Sequence, residues 1–103
     1  MANAPKLLHR SILTTAETPR VETVPPGRRW IVTNIVLANS SLDATTATVK
    51  LDGVVLVPGV RLEPTAILTV DCAQILTTGT TITLYASAAE SIAAHVSGVE
   101  GDA

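Results

Sequence analysis

The chain has 103 residues and a formal net charge of −2, enough for one domain but without the basic surface that nucleic-acid binding requires. Although 47% of the residues are hydrophobic, no run approaches the about 20 consecutive apolar residues that span a membrane. Charged residues make up only 16%, so we expect a surface of small and hydroxyl side chains, of a kind that associates readily.

Branched side chains dominate the composition and favour strands over helices, since Thr, Val and Ile supply 34 of the 103 residues. A first strand is predicted from about Lys6 to Thr14, followed by a break and a short strand from Arg20 to Val24. Pro26 and Gly27 suit the two central positions of a type II turn, because proline presets φ and glycine accepts a positive φ.

The longest predicted strand runs from Arg28 to Asn39 and is apolar on both alternating sets of positions. One set is Trp30, Val32, Val36 and Ala38, and the other is Ile31, Ile35 and Leu37. A solvated antiparallel strand normally alternates apolar with polar residues. One face is therefore predicted to fill the core, and the other to be covered, most simply by a neighbouring subunit.

The middle of the chain predicts a hairpin. Thr45 to Leu51 alternates cleanly, and Asp52-Gly53 is a two-residue turn signal that joins it to a strand from Val54 to Val57. Pro58-Gly59 is predicted to end that strand.

Three further strands complete the prediction, at Ala66 to Cys72, Thr81 to Ala88 and Ile92 to Val99. The residues predicted to point inward from them are Leu68, Val70, Cys72, Ile82, Leu84, Ala86, Ile92, Ala94 and Val96. Short strands at this spacing indicate a single all-β domain over residues 1–103, a β-sandwich of seven or eight antiparallel strands. The pattern leaves jelly-roll and immunoglobulin-like topologies open.

Side chains able to carry chemistry are few and scattered. His9 and His95 have no second metal-ligand type at zinc-site spacing, so both are predicted to be ordinary strand residues. Cys72 follows Asp71 on a strand, without the cations or helix terminus that activate a thiol, and is predicted to serve packing. The sequence therefore predicts no enzyme, no catalytic or metal-binding residue and no cofactor. The single cysteine and the lack of a signal peptide indicate synthesis in a reducing cytoplasm.

Two segments are candidate interfaces. Arg28, Arg29 and Trp30 make either an exposed cationic and aromatic spot suited to a protein partner, or a core tryptophan flanked by solvated arginines. Residues 1–14 are a possible docking arm or edge strand, with Leu7 and Leu8 as its apolar contacts.

The order of motifs along the chain is itself distinctive. A Val-Pro-Pro-Gly turn at residues 24–27 leads into Trp30 to Val36, and an Asp-Gly hairpin follows the end of that strand at Asn39. The later segments of the layout are Leu56 to Val60, Gln74 to Ile82 and His95 to Glu100. Nearly everything after Val21 resembles small β-sandwich structural proteins of tailed bacteriophage particles.

The resemblance implies a virion component, made in the host bacterial cytoplasm and acting through surfaces rather than a site. A capsid decoration protein is the expected role, and a tail or baseplate component is the alternative. The expected partners are the protein itself, as a cyclic trimer, and other virion proteins such as the major capsid protein, with no nucleic acid or membrane. A receptor- or glycan-binding fibre module is a further alternative, with Trp30 and Tyr85 as its minimal ring pair.

Overall fold

The computed structural model describes residues 4–103. These residues form eight antiparallel strands and no helix. In chain order they are β1 (Ala4–Ile12), β2 (Arg20–Thr23), β3 (Arg28–Asn39), β4 (Thr45–Leu51), β5 (Val54–Leu62), β6 (Ile67–Leu76), β7 (Thr81–Ala86) and β8 (Ile92–Asp102). The predicted all-β sandwich is confirmed.

The strands lie in two sheets of four that pack face to face. Sheet A has the order β1-β8-β3-β6, and sheet B has the order β2-β7-β4-β5. The chain thus pairs β1 with β8, β2 with β7, β3 with β6 and β4 with β5, like a long hairpin rolled so that successive pairs alternate between the sheets. This is the jelly-roll topology, which the sequence left open against the immunoglobulin-like one.

Both predicted turns have the expected backbone. At the first, the Arg28 N–H donates to the Pro25 carbonyl at 3.2 Å, and Gly27 has a φ of 74°. At the hairpin, Asp52 and Gly53 have φ values of 52° and 77°, as a type I′ turn requires, and the flanking residues pair directly.

Alternation along β4, β7 and β8 sends the predicted residues into the core. The buried residues of these strands include Ala47, Val49, Leu51, Ile82, Leu84, Ala86, Ile92, Ala94 and Val96. The predicted inward set of β6, which is Leu68, Val70 and Cys72, packs against the same core from the edge of sheet A.

The predicted faces of β3 are wrong beyond Val32. A bulge between Val32 and Asn34, seen in the pairing with β8, inserts Thr33 as an extra residue and reverses the alternation. The residues of β3 that are buried are Trp30, Val32, Ile35, Leu37 and Asn39. Val36 and Ala38 lie instead on the outer side with Ile31, where all three remain half-exposed.

The predicted end of β5 at Pro58-Gly59 is also wrong, because the strand continues to Leu62. β5 is an edge strand, so the missing N–H of Pro58 costs no ladder hydrogen bond. Gly59 takes a φ of 63°, and the pairing with β4 shifts register there.

Sheet A is longer than its predicted strands because β3 offers twelve residues to pair with. Leu76 pairs with Trp30, and Asp102 pairs with Arg28, so β6 and β8 extend past their predicted ends. β1 begins and ends two residues earlier than predicted, and β7 ends at Ala86 rather than residue 88.

Candidate interaction surface

The two outward surfaces of the sandwich differ in chemistry. Threonines dominate the outer face of sheet B, which carries Thr23, Thr46, Thr48, Thr81 and Thr83. Lys50 lies with its Nζ 5.7 Å from the ring centroid of Tyr85 on this face. The edge strands of this face also expose Val21 and Val55, at 51% and 48%, but each valine stands singly beside hydroxyl or charged neighbours.

The outer face of sheet A is apolar at both ends of its strands. Directly paired residues project to the same side of a sheet, so the register defines rows across all four strands. One end row is Pro5, Val99, Ile31 and Ile75, and the other is Ile12, Ala93, Ala38 and Ile67. The side chains nearest the sheet edges are open to solvent: Ile67 is 68% exposed, Ile75 66% and Ile12 55%.

Two mixed rows lie between the apolar end rows. They are Arg10, His95, Val36 and Thr69, and Leu7, Ser97, Asn34 and Asp71. Arg10 Nε donates to His95 Nδ1 at 2.8 Å, and Asn34 Nδ2 donates to Asp71 Oδ1 at 2.8 Å. Arg10 and Asp71 thus lie on opposite edge strands, each hydrogen-bonded to a side chain of the neighbouring strand.

A shallow depression of about 510 Å³ opens on this face. Its lining includes Pro5, Leu7, Thr33, Ser97 and Val99. Bulges at Leu8 on β1 and Thr33 on β3 flank β8 at this level, and Gly98 between them lines the depression with backbone atoms only. The depression is therefore a product of two bulges in register.

The structure distributes the five predicted interface residues over three environments. Leu7 lies on the outer face of sheet A, and Arg29 pairs with Gly101 at the end of the same face. Arg28 makes an ion pair with Asp102, its Nη1 lying 2.9 Å from Oδ1. Trp30 and Leu8 are only 3% and 5% exposed, because both point into the core, so neither is available to a partner.

Trp30 anchors a small charged cluster at the rim of the core. Its Nε1 donates to Glu100 Oε2 at 2.9 Å, and Lys6 Nζ lies 2.9 Å from the same carboxylate. Lys6 Nζ is also 5.7 Å from the indole centroid. The hydrogen bond from Trp30, followed by that from Lys6, lowers the pKa of Glu100 below its ordinary value.

His9 connects the two sheets. Its Nδ1 lies 2.9 Å from Glu22 Oε1 on β2, and its Nε2 lies 2.6 Å from Ser11 Oγ on its own strand. The ring is 8% exposed. A serine, histidine and carboxylate in this order match the hydrogen-bond order of a nucleophile triad. Ser11, however, pairs with inward-facing Ala94, whereas the depression opens on the outer face.

The remaining groups singled out by the sequence are placed as packing residues. Cys72 packs against the core, with its Sγ donating to the Val32 carbonyl at 3.3 Å. Burial, and secondarily the charge of Asp71, raises the pKa of its thiol, which is opposite to activation. Within residues 4–103 no three His, Cys, Asp or Glu side chains cluster as metal ligands would, and no helix there is long and apolar enough to cross a membrane.

The two aromatic rings lie on different surfaces. Trp30 points into the core from sheet A, and Tyr85 lies on the outer face of sheet B. They do not form the shared exposed platform on which a sugar ring would stack.

Sequence reasoning predicted an apolar second face on the Arg28–Asn39 strand, but it missed the contributions of β1, β6 and β8 to the outer face of sheet A, because the rows of this face draw on four strands from both ends of the chain. One local signal was available. Thr33 and Asn34 are consecutive polar residues in an otherwise apolar run, which is typical of a bulge or a break in alternation.

The similarity to known proteins is one of fold. No protein-family model and no curated protein matches the sequence. Among solved structures that match is the core of Drosophila NLP, described as giving insight into pentamer formation and histone binding, with a TM-score of 0.55 and 16% identity over 94% of this chain and 100% of that one.

Two enzymes also match over part of their length. An exo-beta-1,3-galactanase from Phanerochaete chrysosporium has a TM-score of 0.41 and 14% identity, over 98% of this chain and 30% of that one. An acetyl xylan esterase from the rumen bacterium Butyrivibrio proteoclasticus has a TM-score of 0.40 and 11% identity, over 99% of this chain and 32% of that one. At these identities the likeness to NLP core extends to the fold alone, and the two weaker ones carry no argument.

Proposed function

We propose that this protein is a non-enzymatic structural component of a bacteriophage particle, a capsid decoration protein that stabilises the particle through contacts between subunits. The observation that supports this is the contrast between the two outer faces. The threonine-rich face exposes only single valines at its edges, whereas the outer face of sheet A has an apolar row at each end of its strands. An apolar patch at each end of one sheet face is the kind of feature that marks an interaction surface.

The bacteriophage setting rests on the resemblance of the motif order to small virion proteins. A jelly roll is compatible with it, because capsid proteins use this fold, but lectins and enzymes use it too, so fold alone does not decide function. The protein would be made in the host bacterial cytoplasm and reside in the virion. Its partners would be copies of itself and other virion proteins such as the major capsid protein.

A tail or baseplate position is the second candidate, and the same apolar face supports it equally. A decoration protein and a baseplate or tail-tip component differ in copy number, since the first accompanies the capsid lattice and the second is present in few copies. The glycan-binding alternative loses its support, because the pair of rings on which it depended is divided between the core and the opposite sheet.

The test is the protein's copy number in purified particles. Particles from the phage culture that carries this sequence would be banded on a density gradient, and the chain quantified by mass spectrometry against the major capsid protein. A ratio near that of the capsid lattice supports decoration, and a few copies per particle supports the tail position. Absence from the particles would overturn the proposal.

The non-enzymatic part has its own test at Ser11, the side chain whose hydrogen bonds match those of an activated serine. We expect a fluorophosphonate probe to leave the folded protein unlabelled, because Ser11 does not line the depression on the outer face of sheet A. Labelling at Ser11 that disappears in His9→Ala would demonstrate serine nucleophile chemistry and contradict this part of the proposal.

A further inference from the structure

We infer that the outer face of sheet A is covered by the same face of a second copy, related by a twofold axis parallel to the strands. This inference rests on the proposed function, since it names one partner of the apolar face, a second copy of the chain. It is carried by three features of the face: the order of its rows, the positions of the two charges in its mixed rows and the depression beside β8.

The rows read apolar, mixed, mixed, apolar along the strands, with Pro5 and Ile12 at the two ends of β1. An axis parallel to the strands places each row opposite the same row of the second copy and reverses the strand order. Strand β1 therefore faces β6 of the second copy, and β8 faces its β3. Ile12 then meets Ile67 of the second copy, and Val99 meets Ile31. Every apolar row contacts an apolar row, and no apolar row is placed against charge.

The charges on the mixed rows complement each other only between copies. Arg10 lies on β1 and Asp71 on β6, the two edges of the same sheet, separated by roughly 14 Å at ordinary strand spacing. Neither makes an ion pair within residues 4–103. The axis brings β1 over β6, which places Arg10 one row from Asp71 of the second copy, within reach of a guanidinium side chain. Two such pairs form by symmetry.

The depression accepts a side chain in the same arrangement. It lies over β1 and β8 near Pro5 and Val99. The axis places opposite it the residue of the same row that lies on β6 of the second copy. Ile75 occupies that position and is 66% exposed. An exposed apolar side chain thus faces a recess whose lining includes Pro5, Leu7 and Val99, with Lys6 and Arg10 also lining it.

The area of the face lies just below the lower end of the range for specific interfaces, which is the range of weak dimers. Four strands and about seven residues per strand give a face of roughly 19 by 23 Å, or roughly 900 Å² over two copies before side-chain relief is counted. A specific interface begins near about 1,000 Å². A contact of one face with itself is isologous and closes as a pair, whereas the expected trimer would need two different surfaces in contact.

The test is a charge swap, with dimer formation measured by sedimentation equilibrium at protein concentrations from about 1 to 100 µM. This range is chosen to bracket the dissociation constants of weak dimers with an interface of about this area. The native protein is expected to reach twice its 10.7 kDa chain mass. Arg10→Glu and Asp71→Arg should each weaken the dimer by roughly tenfold or more, because each puts like charges together. The double variant Arg10→Glu/Asp71→Arg should recover most of the native affinity. Thr83→Glu on sheet B is the matched control and should leave the dimer unchanged.

Each outcome of these measurements either supports or contradicts the proposed dimer. Recovery in the double variant supports this pairing, and circular dichroism on every variant verifies that the fold is kept. A native monomer, a trimer or a pentamer would overturn the inference, as would single swaps without effect or a double variant as weak as the singles. If the native chain is monomeric in solution yet present in phage particles, the dimer is wrong and the proposed function stands.

Discussion

Gly98 on β8 lies so close to β3 that a Cβ at residue 98 would stand 2.1 Å from the carbonyl oxygen of Ile31. It would also lie 2.8 Å from Leu8 Cδ1. The approach occurs where β1 and β3 both bulge beside β8, so the two neighbouring strands close in on the one residue without a side chain. The first of these contacts is with backbone, which cannot rotate away.

We expect Gly98→Ala to lower the free energy of unfolding by about 3 kcal/mol, because the central strands of sheet A must separate to admit the methyl group. Urea denaturation followed by Trp30 fluorescence measures the loss. Ser97→Ala, whose side chain lies on the outer face, is the control and should change stability by less than about 0.5 kcal/mol. A Gly98→Ala protein as stable as the control would show that the close approach is absent in solution.

His9 is expected to hold the open edge of the sandwich together, since its ring joins β1 in sheet A to Glu22 on β2 in sheet B. His9→Ala removes this link and leaves a cavity at a buried position, which should cost about 2 kcal/mol. His95→Ala on the outer face is the matched change and should cost about 0.5 kcal/mol or less. Equal effects of the two substitutions in thermal unfolding would refute the assignment of His9 as the link.

Glu100 should make the protein acid-sensitive. Its pKa is lowered in the folded state, first by the Trp30 indole and then by Lys6, so folding favours the ionised carboxylate. The stabilisation is present above the ordinary glutamate pKa of 4.5 and is lost as the pH falls through the lower, folded-state pKa.

Stability curves measured between pH 7 and pH 3 test this acid sensitivity. Glu100→Gln should lose less stability than the native chain over the acid part of the range, because it has no proton to take up. Glu17→Gln, in an exposed turn, should keep the native slope. An unchanged slope in Glu100→Gln would mean that other carboxylates carry the acid response.

Cys72 should react slowly with iodoacetamide in the folded protein. Burial raises its pKa, and the negative charge of Asp71 raises it further, so less thiolate is present at pH 8 than in the unfolded chain. Asp71→Asn should accelerate alkylation modestly, since it removes only the smaller of the two causes. Asp52→Asn in the distant hairpin is the control, and a rate in the folded protein equal to that in urea would contradict the prediction.

The local elements of this protein follow from short stretches of its sequence. The bounds of β3 and β4, the turn at Pro26-Gly27 and the hairpin at Asp52-Gly53 all follow from residues next to one another. Proline and glycine restrict or release φ at single positions, and alternation is a property of one strand, so these features need no distant partner. The jelly-roll strand order does depend on distant partners, because alternation predicts which face of a strand is buried but not which strands pair with it.

Register between distant strands was decided only by the tertiary structure. The bulge at Thr33 turned Val36 and Ala38 outward, Pro58 was tolerated because β5 lies at an edge, and Trp30 went to the core with its N–H satisfied by Glu100. The outer face of sheet A exists only because residues from β1, β8, β3 and β6 align in rows. A shift of one residue in any of these pairings would send its side chains to the opposite face, and such a shift depends on contacts along the whole ladder.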